Sequence, residues 1–307
     1  MITCVSLNPS IDRTLEIDKM QVGGLNRVRR QTDAAAGKGV NVALALAALG
    51  EETECVGFLQ EDGGELFRRR LRDGGVAWDF VESPGAVRVN MKVFDREKGQ
   101  ITELNGSGVP ALPEQLKQVR ARIAAHAETS ELLILSGSLP PQCPADFYRT
   151  LAADASCRVI LDADGERLRL GLQAKPFLIK PNLAELEALT GRELRSLEDV
   201  AHAAKGCIDA GARMTAVSLG ADGSILTDGS ETWRAKGMKV DVKSTVAAGD
   251  SMIAGFAAAF RRGMGMADAL RLAAAAAAVR CATPPEEIIS GAACLEMAQK
   301  IEVERIG

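Results

Sequence analysis

The tetrad Ala247-Ala248-Gly249-Asp250 joins an extended segment, 240–246, to an amphipathic helical stretch that begins near Ser251. Small side chains at a helix start leave backbone N–H groups open, and the macrodipole favours negative charge there, so a phosphate can dock on them. Asp250 would then stand beside the anion, positioned to take a proton from a hydroxyl attacking phosphorus. A carboxylate is a weak base toward an alcohol. In a loose phosphoryl-transfer transition state the hydroxyl turns acidic late, so placement carries most of the rate and a weak base suffices. The plain alternative is structural, because Asp is a favoured N-cap and Gly a favoured turn residue.

A second constellation is Ala36-Gly37-Lys38-Gly39-Val40-Asn41. It is not a P-loop, since Gly39 follows Lys38 where a hydroxyl is needed, and not a dinucleotide fingerprint, since Val42 stands where the third glycine belongs. The glycines flanking Lys38 permit close backbone approach to a polar ligand, and Asn41 offers a donor and an acceptor to sugar hydroxyls. A turn with a solvated lysine is the alternative. Asp12 follows the first strand, where it either accepts bonds from two hydroxyls of a sugar or closes an Asx-turn after Asn8-Pro9. Arg27 and Arg88 are candidate partners for a phosphate already carried by the substrate. The chain carries 37 Lys+Arg against 41 Asp+Glu, a net charge of −4. It would repel such a dianion unless local cations among Arg27, Lys38 and Arg88 reversed the field.

The elements that must position these groups are legible as short apolar runs ending in polar or glycine-rich clusters: 2–7, 132–135, 159–161, 177–179 and 215–217. Runs so uniformly apolar suit strands covered on both faces, with helical crossovers between them. The expected fold is α/β, a doubly wound and mainly parallel sheet with helices on both faces, and ligands bind beyond the carboxyl ends of its strands. The clusters there are 8–12, 136–140, 162–164, 180–182 and 218–223. Between 87 and 93, apolar residues alternate with Arg88, Asn90 and Lys92, the pattern of a half-buried antiparallel strand. Together with 15–17, 26–32 and 101–104 it predicts a small second sheet, a lid drawn from about 13–33 and 86–105. Its Arg88-Asn90-Lys92 face could close over a ligand. The alanine-rich final third reads as packing helices. No internal repeat and no separating linker occurs, so 1–307 is expected to form one domain.

Several functions are excluded on composition. Mild acidity without a basic run leaves no footprint for nucleic acid. The longest apolar run, 272–279, is far short of a membrane span, and the first residues do not read as a signal peptide. Seven cysteines, an odd number without a C-x-x-C pair, suit a reduced, cytoplasmic compartment. With only His126 and His202, any general base is expected to be a carboxylate.

In order and spacing, the chain resembles the PfkB-type carbohydrate kinases of the ribokinase-like fold. The resemblance rests on Gly37-Lys38-Gly39-Val40-Asn41, Ser136-Gly137-Ser138-Leu139-Pro140, Lys180-Pro181-Asn182 with Glu185, Ser218-Leu219-Gly220-Ala221-Asp222-Gly223, and Ala247-Ala248-Gly249-Asp250. Within that family, Leu7-Asn8-Pro9-Ser10-Ile11-Asp12 and Asn26-Arg27-Val28 are similar to the branch acting on phosphorylated ketohexoses. The resemblance implies ATP as donor, Mg²⁺ held mainly through phosphates and water with Glu185 as its one candidate protein ligand, and a lid sheet that can mediate a homodimer. It implies Asp250 as base beside an anion hole at Ala247, Ala248 and Gly249. Asp12, Arg27, Gly37, Lys38, Gly39, Asn41, Arg88, Asn90 and Ser138 would hold the sugar phosphate. Lys180, Asn182, Glu185, Ser218, Gly220, Ala221 and Gly223 would hold the nucleotide. The reaction expected is fructose 1-phosphate to fructose 1,6-bisphosphate, with tagatose 6-phosphate as the alternative acceptor and a non-catalytic sugar-phosphate sensor as the alternative role. One departure is Ala247, which stands where the family has glycine and would cost about 1 kcal/mol if the backbone there needs a positive φ.

Overall fold

The structure, a computed structural model, describes all of residues 1–307. Its strands are, in chain order, β1 (Ile2–Ser6), β2 (Ser10–Ile17), β3 (Val28–Ala36), β4 (Thr53–Asp62), β5 (Ala77–Ala86), β6 (Arg88–Asp95), β7 (Gln100–Asn105), β8 (Leu132–Ser136), β9 (Arg158–Asp162), β10 (Leu178–Ile179), β11 (Thr215–Ser218), β12 (Gly223–Thr227), β13 (Thr232–Lys236) and β14 (Val303–Arg305). Ten of them form one sheet in the order β14-β13-β12-β11-β10-β9-β8-β1-β4-β5. From β11 to β5 every pairing is parallel, and β12, β13 and β14 continue it antiparallel at one edge.

Alternate side chains of these apolar strands enter two different cores. Ile2, Cys4, Leu132 and Ile134 join helices Lys38–Ala48, Ala248–Arg261 and Met266–Ala282 on one face. Val5, Leu133, Leu135 and Leu161 join helices Pro113–Thr129 and Leu197–Asp209 on the other. Burial on both faces is why the runs read as continuous rather than alternating. The alanine-rich helices Ala248–Arg261 and Met266–Ala282 are packing elements, as expected, buried along most of their length. No helix is long and apolar enough to cross a membrane.

The second sheet has the order β3-β2-β6-β7. Asp12 lies opposite Asn90 and Ala34, and Ser10 opposite Arg88, so one face of this sheet carries Ser10, Asp12, Thr14, Arg88, Asn90 and Lys92 together. Asp12 is therefore a strand residue, not the closing residue of an Asx-turn.

Gly39 is placed by packing. A Cβ there would stand 2.3 Å from the Val5 carbonyl oxygen, so the glycine lets helix Lys38–Ala48 lie directly on β1. It is buried and does not line the cleft, contrary to the sequence expectation that it touches substrate.

Candidate active site

The carboxyl ends of β1, β8, β9, β10 and β11 open on a cavity of about 460 Å³ roofed by the lid sheet. It gathers Asp12, Gly37, Lys38, Asn41, Arg88, Asn90, Ser138, Lys180, Asn182, Glu185, Ser218, Ala247, Gly249 and Asp250 from distant parts of the chain. The remaining expected residues lie elsewhere. Arg27 is exposed on the loop before β3, and Gly220, Ala221 and Gly223 form the turn from β11 into β12 outside the cavity wall. At Gly223, φ is +101° and a Cβ would meet the Ala235 carbonyl oxygen at 2.1 Å, so the turn itself demands glycine.

Asp250 is in the first turn of helix Ala248–Arg261 and 6% exposed. It does not cap. The helix N-cap is Ala247, which makes no side-chain capping bond, and the Asp250 carboxylate instead accepts from Asn41 Nδ2 at 2.8 Å. The capping alternative is thereby set aside. Ala248 N–H donates to the Thr245 carbonyl at 3.3 Å, so it is not free for an anion as the sequence suggested; the N–H groups of Gly249 and Asp250 have no backbone acceptor. Two donors at a positive helix end, beside a carboxylate, is an arrangement suited to a phosphoryl group.

The charges around it are ordered. Asp162, at the end of β9 and 1% exposed, holds Lys38 Nζ at 3.0 Å and Lys180 Nζ at 3.4 Å. Lys180 is itself 5% exposed, and a Cβ on Gly249 would lie 3.3 Å from its Nζ, so this ammonium sits against the helix start. Burial pushes Asp250 up to about 6, with nearby Asp162 adding to the rise and Lys38, Asn41 and Lys180 opposing it. Burial also acts upward on Asp162, but Lys180 and Lys38 outweigh it and hold that carboxyl below its ordinary value. The pair splits into a permanent anion that anchors cations and a carboxylate able to exchange a proton near neutrality.

On the lid side, Asp12 accepts from Lys92 Nζ at 2.5 Å, Asn90 Nδ2 at 3.1 Å and Ser10 Oγ at 3.2 Å. Arg88 donates to the carbonyls of Asn8 at 2.9 Å and Gly106 at 2.9 Å. It is thus built into the cavity wall, with Asn8 Nδ2 donating to Ser138 Oγ beside it at 3.1 Å. Asn182 and Glu185 form a reciprocal capping box at the start of helix Leu183–Thr190, each bond 2.9 Å, at the cavity rim.

No three His, Cys, Asp or Glu residues cluster tightly enough to hold a metal ion by themselves. Asp162 Oδ1 is 3.4 Å from Lys180 Nζ and is taken by that ammonium, whereas Asp164 and Glu185 open on the same cavity. Such a donor set fits a divalent ion whose other ligands are phosphate and water oxygens.

Asp162 and Asp164 were expected only as part of a strand-end cluster and Lys92 only as part of the lid face, and none of the three was given a role. Asp162 had a signal, since it ends an apolar run at a strand terminus. Lys92 shares the Arg88-Asn90 face by period two.

Ala247 adopts φ 63° and ψ 11°, the left-handed region. Replacing it by Gly should raise stability by about 0.5–1 kcal/mol, the size of the alanine penalty there. Calorimetry should find Tm higher by about 1–3 °C. A lower Tm would mean that the methyl group contributes packing that outweighs its strain.

A family model described as pfkB family carbohydrate kinase matches residues 5–285. The chain is 39% identical over 278 residues to the 1-phosphofructokinase of Rhodobacter capsulatus, covering 89% of this chain and 88% of that protein. It is 34% identical over 282 residues to the 1-phosphofructokinase of Escherichia coli strain K12, covering 91% and 90%. Phosphofructokinase-2 of Escherichia coli, solved in complex with substrates and products, superposes with a TM-score of 0.90 at 27% identity over 98% of both chains.

Proposed function

The chain belongs to the pfkB family of carbohydrate kinases, and from that membership we propose that it transfers the terminal phosphoryl group of ATP to fructose 1-phosphate, giving fructose 1,6-bisphosphate. It is an ATP-dependent sugar kinase. The observation that carries the finer reading is the buried Asp250, held by Asn41 beside two backbone N–H groups without backbone acceptors.

In this reading the acceptor hydroxyl lies against the Asp250 carboxylate. Its oxygen bonds to the γ-phosphorus as the bond from that phosphorus to the bridging oxygen of ADP breaks, and its proton passes to Asp250. The N–H groups of Gly249 and Asp250, with Lys38 and Lys180, balance charge on the transferring group. Asp12, Gly37, Asn41, Asn90, Arg88 and Ser138 hold the sugar phosphate. Lys180, Asn182, Glu185 and Ser218 hold the nucleotide phosphates, and the Gly220-Ala221-Gly223 turn is the rim along which the nucleoside extends. Kinases of this family use ATP and a divalent metal. The ion proposed is Mg²⁺, which would neutralise the phosphates and be reached from the protein by Glu185 or Asp164.

The lid is proposed to bring two copies together. It and its adjoining loop leave Val22, Leu25, Val28, Met91 and Leu104 exposed, an apolar surface of the kind that a second copy covers. The reduced state of all seven cysteines suits action in the cytoplasm.

Arg88→Ala should raise KM for the sugar phosphate by about tenfold or more, because the wall formed by Asn8, Gly106 and Ser138 loses its charge-assisted bonds. The KM for ATP should change little. Equal effects on both would remove Arg88 from the sugar side.

The direct test is kcat/KM measured by ADP release for fructose 1-phosphate, tagatose 6-phosphate and fructose 6-phosphate side by side. Fructose 1-phosphate is expected to be highest. A preference for tagatose 6-phosphate would reassign the acceptor, and binding of all three without ADP release would make the protein a sensor.

A further inference from the structure

Beneath the lid sheet a second, smaller cavity of about 60 Å³ adjoins the catalytic cleft and shares Asp12, Asn41, Val246 and Ala247 with it. Two arginines from distant parts of the chain open on it: Arg70, from helix Gly64–Asp73, and Arg280, from the last turn of Met266–Ala282. Arg280 is 6% exposed. Its guanidinium donates to the carbonyls of Glu287 at 2.7 Å, Thr283 at 2.5 Å and Pro284, while Arg70 Nη1 donates to the Glu286 carbonyl at 3.1 Å. Carbonyls fix these groups in place but leave both positive charges standing.

Nε of Arg70 and Nε of Arg280 are both buried without a hydrogen-bond partner. Burial holds each guanidinium below its ordinary value, and at Arg70 the neighbouring Arg280 lowers it further. Asp12 and Glu286 oppose that fall at Arg70, and Glu286 and Glu287 oppose it at Arg280, but none of these carboxylates is in ion-pair range of either guanidinium. Asp12 is paired with Lys92 at 2.5 Å, and Glu286, exposed at the rim, lies 3.8 Å from Arg30. Glu287 is exposed as well and forms no ion pair with either arginine. Two like charges opening on one space, neither of them in an ion pair, are costly in a folded interior without a counter-ion. An oxyanion supplies both the acceptors and the countercharge. Thr14 and Thr32, on the lid face above, add two hydroxyls.

We propose that this cavity is a phosphate-group site, held between the guanidinium groups of Arg70 and Arg280 and separate from the N–H groups of Gly249 and Asp250. The group is either free inorganic phosphate or the phosphate of a sugar phosphate reaching through the shared wall at Asp12 and Asn41.

Equilibrium dialysis of labelled inorganic phosphate against the full chain tests it. The cleft is expected to take phosphate as well, so Lys38→Gln should lose only the cleft's share of the bound phosphate and keep the share held at Arg70 and Arg280. Arg70→Gln and Arg280→Gln, checked for folding by circular dichroism, should bind about tenfold or more weakly, the loss expected for one charge-assisted hydrogen bond. Arg70→Lys, which keeps the charge without the planar guanidinium fork, should also bind more weakly than wild type. Competition by fructose 1-phosphate but not by fructose would identify the sugar phosphate as the source, and its absence a free anion. No phosphate binding by the wild-type chain, wild-type affinity in the folded arginine variants, or loss of all bound phosphate in Lys38→Gln alone would overturn the site. None of these readouts depends on turnover, so a failure here is distinguishable from a failure of the kinase reading.

Discussion

Asp250→Asn is expected to lose about 10²–10⁴-fold in kcat while KM for ATP and for the sugar phosphate change little, the range removed with a positioned general base. The substitution keeps the shape, and the amide oxygen still accepts from Asn41 Nδ2, whose bond to Asp250 is 2.8 Å. What is lost is the proton acceptor. A pH profile gives the same group a second signature. Since burial pushes Asp250 up to about 6, kcat/KM of the wild type should fall as pH drops through about 6, the free enzyme's base becoming protonated. Stability moves the opposite way. A carboxyl whose folded value is raised favours folding most when protonated, so its contribution is complete below its unfolded value near 4 and is lost as pH rises through about 6. At neutral pH the Asn variant should therefore melt no lower than wild type. An Asp250→Asn chain that releases ADP at the wild-type rate would reduce the residue to a structural role.

Asp162→Asn is expected to cost about 3 kcal/mol of stability and about 100-fold in kcat/KM. Lys180 is 5% exposed and Asp162 is the only carboxylate in ion-pair range of it, so removing the charge leaves a buried ammonium unpaired beside Lys38. Asp162 lies below its ordinary value in the folded chain, which means its contribution is present at neutral pH and fades as pH falls through that lowered value. Urea unfolding separates the two roles. Adding Lys180→Met to Asp162→Asn should recover much of the stability, since no buried charge is left, yet recover none of the activity. Losses that simply add would mean that the two residues do not act as a pair.

How much of this was legible depends on which physical term dominated each position. The parallel strands 2–6, 132–136, 158–162, 178–179 and 215–218 are announced by uniform burial, and their carboxyl ends locate the cleft. The strands 53–62 and 77–86 carry no such announcement. Glu54, Gln60, Pro84 and Gly85 break the apolar runs, and backbone pairing decides instead, of 53–62 with β1 and of 77–86 with 53–62. Likewise the antiparallel edge from Gly223 to Lys236 is fixed by its turn and its neighbours, not by periodicity. Lid alternation correctly put Arg88, Asn90 and Lys92 on one face, but nothing local says that Lys92 would be taken by Asp12 from another strand. Gly39 misleads because a glycine beside a lysine looks like a ligand loop, whereas helix-to-strand contact demands it. Arg27, expected on a lid strand, falls on the loop before β3 and stays outside the cavity.

A crystal structure with ADP, aluminium fluoride and fructose 1-phosphate probes the catalytic geometry most directly. The planar fluoride group should lie within hydrogen-bond distance of the Gly249 and Asp250 N–H groups, with the acceptor hydroxyl bonded to an Asp250 carboxylate oxygen. A fluoride group seated away from that helix start, or a hydroxyl facing any other base, would contradict the account.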